Sequence, residues 1–367
     1  MIIAFVLLGY AFLLLWAGAG RLARARWPDR APRLAVAAWL ALTGSAVVSV
    51  TFGGLALVVP TVRVSAGLST LLATCAMELR ASYAHPGGAV LAGAGAALGL
   101  AVIARVGWCV AGTLARAGLA RRRHRRGLAL AGRHDGRLGA VVLDHHDAAA
   151  WCLPGAGRQV VLTTAAVEAL DEVQLTAVVA HERAHQRGHH HLLVSLAGSL
   201  AAAFPRVRAF RQGHEQVARL VELLADDAAT AASPRLKVAE ALLALAAPAP
   251  AAVAGASLGA GGSATGARIR RLITAPAPLG RIRSGAGMLT LVALAAIPLV
   301  VLAGPAAALI GHCCCPYTIA AAQHVLGPVS APPPAADLPP RGTGCAMPNG
   351  KTSAGPGTWS FSWVAQL

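Results

Sequence analysis

Four long apolar runs constrain this chain more than any other feature. Residues 2–18, 34–59, 88–114 and 286–310 are each long and apolar enough to cross a hydrocarbon core about 30 Å thick, and each reads as a membrane helix. A fifth run, Leu192–Phe204, is only about a dozen residues long between polar flanks, so it packs in a core or lies at the membrane interface. No basic segment precedes the first run, which leads straight into Arg21, as in a start anchor with its N-terminus outside rather than a cleaved signal peptide. Composition agrees. The chain is 56% hydrophobic and only 13% charged, which excludes a disordered polypeptide and is too apolar for an ordinary soluble enzyme.

Charge sets the expected orientation. Lys+Arg 32 against Asp+Glu 15 leaves +17, and lysine occurs only at Lys237 and Lys351, so the excess is arginine. Such a balance suits anionic lipid or nucleic acid. The arginines cluster beside apolar runs and few aromatics interleave with them, so the lipid bilayer is the expected partner and direct nucleic-acid binding is not. Arg21, Arg24, Arg26, Arg30 and Arg33 follow the first run, and Arg116, Arg121, Arg122, Arg123, Arg125 and Arg126 follow the third. Arg268, Arg270, Arg271, Arg281 and Arg283 precede the fourth. Basic loops stay cytoplasmic. The expected layout is therefore a membrane region over 1–115 with three helices, a cytoplasmic domain over 116–284, a fourth helix over 285–311 and a short exterior Pro-rich tail over 312–367, with both termini exterior. Arg105 lies near the inner end of the third run and reads as a snorkelling boundary residue.

The inserted domain is long enough for one core and carries mixed signals, so the fold class is an α-helical membrane protein with an inserted α+β domain, its spans arranged three before and one after. Leu138–Leu143 and Gln159–Leu162 are short aliphatic, β-branched runs and read as strands. Thr164 can cap a short helix over Ala165–Leu170. Asp171 with Gln174 forms a capping box opening a helix that runs to about Gly188.

On that helix stands His181-Glu182-Arg183-Ala184-His185. Two histidines four residues apart share one helix face and can bind a single Zn²⁺, while Glu182, one position round, can reach a water held there. The pattern is short, and its bland alternative is a polar helix end. The apolar Ala177–Ala180 stretch leading into it favours a buried helix that delivers ligands to a cleft. About forty residues on, Glu222-Leu223-Leu224-Ala225-Asp226 lies in a second helical pattern. Glu222 can be the third ligand, and Asp226, one turn later, can fix the tautomer of a ligating histidine. Three protein ligands leave a fourth position for water, the arrangement of a zinc hydrolase.

These segments, together with Cys152-Leu153-Pro154-Gly155 and Arg158-Gln159-Val160-Val161-Leu162-Thr163, resemble the BlaR/MecR-type integral-membrane zinc metallopeptidases over about residues 151–232 and in the order of the spans. The resemblance implies a zincin-like domain with one zinc ion on His181, His185 and Glu222, Glu182 as the catalytic base and Asp226 behind the ligands. It also implies a cytoplasmic protein substrate, in several members a helix-turn-helix transcriptional repressor. The chain departs from well-known members after the fourth span. Neither lysine completes the S-x-x-K of a penicillin-binding domain, Pro348 standing three residues before Lys351 in the tail and Pro234 before Lys237 in the inserted domain, so acylation by a β-lactam through that route is not expected.

The expected activity is a zinc-dependent metalloendopeptidase acting in regulatory signalling, by inactivating a repressor or cleaving itself. Gln159, Val160, Val161 and Leu162 are the candidate edge strand for an extended substrate. Two alternatives stand beside it: an HtpX-like quality-control protease, expected to place two spans on either side of the catalytic helix, and a non-enzymatic membrane signalling receptor. His189, His190 and His191 read as a solvated helix terminus, with a second metal as the sharper alternative. His145 and His146 read as a surface loop. Cys313, Cys314, Cys315 and Cys345 in the tail can form a disulfide, bind metal or carry lipid, and Ala246–Gly266 reads as a linker or lid.

Overall fold

A computed structural model of the chain describes residues 2–58, 86–153, 159–246 and 261–310. Helix α1 covers Ile2–Arg24 with a π-helical turn over Leu14–Gly18, α2 covers Pro32–Val58, and α3 runs unbroken over Pro86–Ala131. Four strands follow: β1 Gly132–Asp135, β2 Ala140–Leu143, β3 Ala150–Leu153 and β4 Gln159–Thr163. Seven helices complete the described chain: α4 Thr164–Ala169, α5 Glu172–Arg187, α6 His190–Ala203, α7 Arg208–Ala232, α8 Arg235–Ala246, α9 Gly261–Thr274 and α10 Arg281–Ile310. The tail expected to be exterior, with its cysteines, and Cys75 lie outside the described residues.

Among the described residues four helices are long and apolar enough to cross a membrane: Ile2–Arg24, Pro32–Leu57, Gly88–Ala131 and Ile282–Leu302. In chain order three precede the sheet and one follows α9. The third apolar run continues as helix for about 25 Å beyond residue 114, carrying the arginine cluster with it, so the boundary expected at 116 falls inside one helix and the sheet starts at Gly132.

Helix α2 is the hub. Its Trp39, Leu42 and Ala46 are buried against Val217, Leu220 and Val221 of α7 in one apolar cluster. The α2–α3 crossing is made by glycines: a Cβ on Gly54 would stand 2.7 Å from the Gly95 carbonyl oxygen, and one on Gly95 2.6 Å from that of Gly54. Only glycine permits backbones that close. Helix α10 is tied in by a proline. Pro298 has no N–H, which frees the Leu294 carbonyl one turn earlier. Tyr10 Oη of α1 and Ser45 Oγ of α2 donate to that carbonyl at 2.8 and 3.0 Å.

The sheet order is β1-β2-β4-β3, with β2 and β4 parallel and the outer pairs antiparallel. This corrects the substrate-edge expectation. Gln159, Val160, Val161 and Leu162 belong to β4, whose ladder partners are β2 on one side and β3 on the other. Val160, Val161 and Leu162 are fully buried because both flanks and both faces are covered. The outer strand beside the helices is β3. Thr163 ends β4 and caps α4, accepting from the Ala166 N–H, one residue before the cap expected at Thr164.

The fifth apolar run became α6, packed between α3 and α7 with Ala197, Leu200 and Ala203 buried. Arg105 of α3 donates from Nε to the Ala203 carbonyl oxygen at 2.6 Å, so it satisfies a helix terminus instead of snorkelling. The latter part of the expected linker, from Gly261, is already helix α9.

Candidate metal centre

Helix α5 is fixed at both ends before it presents anything. Asp171 accepts from the Gln174 N–H at 2.8 Å while Gln174 Oε1 accepts from the Asp171 N–H at 3.0 Å, the expected capping box. At the other end Gly188 and His189, whose φ of 49° is left-handed, turn the chain into α6. Leu175, Val178 and Val179 bury one face against β4, which leaves His181, Glu182 and His185 directed at α7.

Helix α7 answers with Glu222 and Asp226. His181 Nε2 and His185 Nε2 are 3.2 Å apart, and Glu222 places Oε2 3.6 Å from the first and Oε1 3.5 Å from the second. Ligands at about 2.0–2.1 Å from a tetrahedral zinc are separated by about 3.3–3.4 Å. The three donors therefore fit that ion, and they are the one group among the described residues with such spacing. Asp226, with no exposed surface, has Oδ1 3.2 Å from His181 Nδ1. This holds the Nδ1–H tautomer and leaves Nε2 free to ligate.

Three neighbours escaped the sequence reading. Arg268 of α9 donates from Nε and Nη2 to the two Asp226 oxygens at 2.8 and 2.6 Å, and its Nη1 lies 3.1 Å from Glu222 Oε2. The sequence signal was a pair of arginines one turn apart, since Arg271 takes Asp227 in the same bidentate way. His190 is buried, not solvated, with Nδ1 3.1 Å from His185 Nδ1, and so stands behind the second ligand as Asp226 stands behind the first. Gly188 makes room for it: a Cβ there would lie 2.3 Å from His190 Nε2. Cys152 of β3 lies beside Glu182. His145 and His146 are in an exposed loop, as expected.

The electrostatics follow from burial and pairing. Burial opposes charge on His181, but Asp226 and Glu222 outweigh it and hold its pKa up to about 9. Burial raises Glu182 above the ordinary carboxylate range, which suits a general base, and lowers His185. Glu222 and Asp226 resist the same burial: His181 and the Arg268 guanidinium beside them keep both carboxyls below their usual range. Burial and the Glu182 charge push the Cys152 thiol up to about 12, and burial and His185 push His190 down to about 4. A cavity of about 240 Å³ opens beside these groups, with His181, Glu182, Glu222 and Arg268 on one side and Leu242 and Leu245 among its apolar walls.

Comparison with known proteins agrees with this geometry. The model of Peptidase family M48 matches residues 119–283, a little under half of the chain, covering the sheet, the histidine helix, the glutamate helix and α9. No curated protein and no solved structure matches. The matched stretch supports a zinc metallopeptidase family for this domain, and with the apolar helices it fits a membrane metalloprotease. The BlaR/MecR-type assignment is finer than this match.

Proposed function

We propose that the chain is a membrane-embedded zinc metalloendopeptidase that cleaves a cytoplasmic protein, in regulatory signalling of the BlaR/MecR type. One observation carries the reading: two imidazole nitrogens and a carboxylate converge at the spacing of a tetrahedral ion, with a second, more basic carboxylate beside them. His181, His185 and Glu222 would hold a zinc ion, which when bound would supply Lewis acidity at the site. Glu182 removes the proton of the attacking water and returns it to the leaving amine. Asp226 and Arg268 hold His181 and Glu222 in place, and His190 backs His185. An extended substrate pairs with β3, the outer strand, which brings its backbone past Ala150 on the cavity wall and Cys152 beside Glu182. A helix-turn-helix repressor, or the chain itself, is the proposed substrate. The order of the candidate spans, three before the catalytic helix and one after, favours this over the HtpX-like alternative.

Glu182→Gln tests the enzyme against the receptor alternative, because it removes the base and leaves the ligands. Zinc stays bound, and proteolysis of the chain or of a co-expressed repressor falls by about 10²–10⁴. His181→Ala loses both zinc and cleavage. A full downstream response of Glu182→Gln, with zinc bound and no cleavage detected, leaves the non-enzymatic receptor standing; unchanged cleavage shows that Glu182 is not the base.

A further inference from the structure

We propose that a second cavity, between the end of α1 and the start of α7, binds the phosphate of an anionic phospholipid. It measures about 600 Å³ and is lined by Arg21, Arg24, Arg208, Gln212, Trp16 and Gly20, among others. Three arginines line one space, and no acidic residue does. Among the described residues none of the three is in an ion pair, whereas nearby Arg219, Arg268 and Arg271 each hold an aspartate. Three like charges around a common cavity repel one another unless an anion joins them. Arg forks match the oxygens of a phosphate in particular.

The start of α7 adds to the attraction. Its preceding residue, Val207, gives no side-chain cap, so a helix of 25 residues directs its positive end at the same place. The other wall decides between a lipid and a soluble phosphate. Leu15, Trp16 and Ala17 line it, and they continue into the apolar length of α1. Trp16 is largely exposed at the point where the apolar run gives way to arginine, the depth of a headgroup. An anion with acyl chains satisfies both walls; free phosphate satisfies one.

The test uses the full chain in neutral detergent, titrated with fluorescently labelled phosphatidylglycerol. Each guanidinium removed is expected to weaken binding about fivefold, so Arg24→Gln/Arg208→Gln loses about 25-fold. Arg24→Lys/Arg208→Lys keeps the charge but not the forks, so binding falls several-fold, less than in the glutamine pair. Arg122→Gln/Arg123→Gln, in the basic stretch of α3, leaves it unchanged. Equal loss in the α3 variant shows diffuse attraction to a basic surface and overturns the proposal, as does unchanged binding in Arg24→Gln/Arg208→Gln. If that variant does not fold, Gly20→Leu fills the cavity without altering charge and must weaken binding; intact binding there also overturns it. Displacement of the labelled lipid by inorganic phosphate at the concentration at which unlabelled phosphatidylglycerol displaces it assigns the cavity to a soluble anion and sinks the lipid.

Discussion

Arg268 shows what a single residue must do to keep an acidic site intact. Asp226 is fully buried, and its charge is tolerated there because a bidentate guanidinium and an imidazole share it. Arg268→Gln removes the stronger partner. The expected loss of folding stability is about 3 kcal/mol, the scale for breaking a buried pair on one side, and zinc affinity should fall about 10–100-fold as His181 and Glu222 lose their support. Thermal unfolding and competition with a chelator read the two effects separately. Adding Asp226→Asn to Arg268→Gln should recover part of the stability, since no orphaned charge remains, without recovering the affinity. Zinc affinity unchanged in Arg268→Gln would remove it from the supporting shell. His181, Glu182, His185, Glu222 and Asp226 were legible in the sequence because each pair sits on one helix at fixed spacing. Arg268, His190 and Cys152 were not, since they come from other elements and meet the ligands only through the tertiary fold.

At the scale of elements, α5 was the most legible, because its cap, apolar face and terminating glycine are all local. The cap also carries a pH dependence. The Gln174 N–H and the Lys237 ammonium, 3.0 Å from Asp171 Oδ2, hold the Asp171 carboxyl below its usual range. A folded pKa below the unfolded one gives stability that is present above about pH 4 and is lost as the pH falls through the lower folded value. Asp171→Asn keeps a capping oxygen and deletes the titration. Acidification from about pH 5 to about pH 3 should therefore lower the unfolding temperature of the wild type by more than that of Asp171→Asn. Equal drops would show that this cap does not contribute to acid sensitivity. The sheet was less legible than the helix. Gly132–Asp135 has no apolar alternation and becomes a strand only because Ala140–Leu143 pairs with it across a turn. The parallel β2–β4 pairing passes over β3 in sequence, so nothing local to Gln159–Leu162 tells an inner strand from an edge.

For the whole molecule, the apolar runs foretold the four candidate helices, but the structure changes what the arginines say about their orientation. Two of the five before the fourth apolar run, Arg268 and Arg271, are held by Asp226 and Asp227, so they are not free charges at a membrane surface. Arg271 also donates from Nε to the Asp29 carbonyl oxygen, and Arg219 binds the Asp29 carboxylate, which joins the turn between α1 and α2 to α7 and α9. The metal helix is thereby packed along α2 and pinned at the same end as the Arg21–Arg33 cluster. Whichever side of the membrane holds that cluster must also hold the catalytic domain. The positive-inside rule then rests on the first two clusters, both at this end, and predicts the cytoplasm for it. A compartment-sensitive reporter inserted at His146, in the exposed loop between β2 and β3, avoids the sheet and the metal site and should report the cytoplasm. One fused after Leu367 should report the exterior, because among the described residues a single candidate span follows the domain. A His146 reporter found outside would reverse the whole arrangement and exclude any cytoplasmic substrate. If His146 and Leu367 report the same side, α10 does not cross.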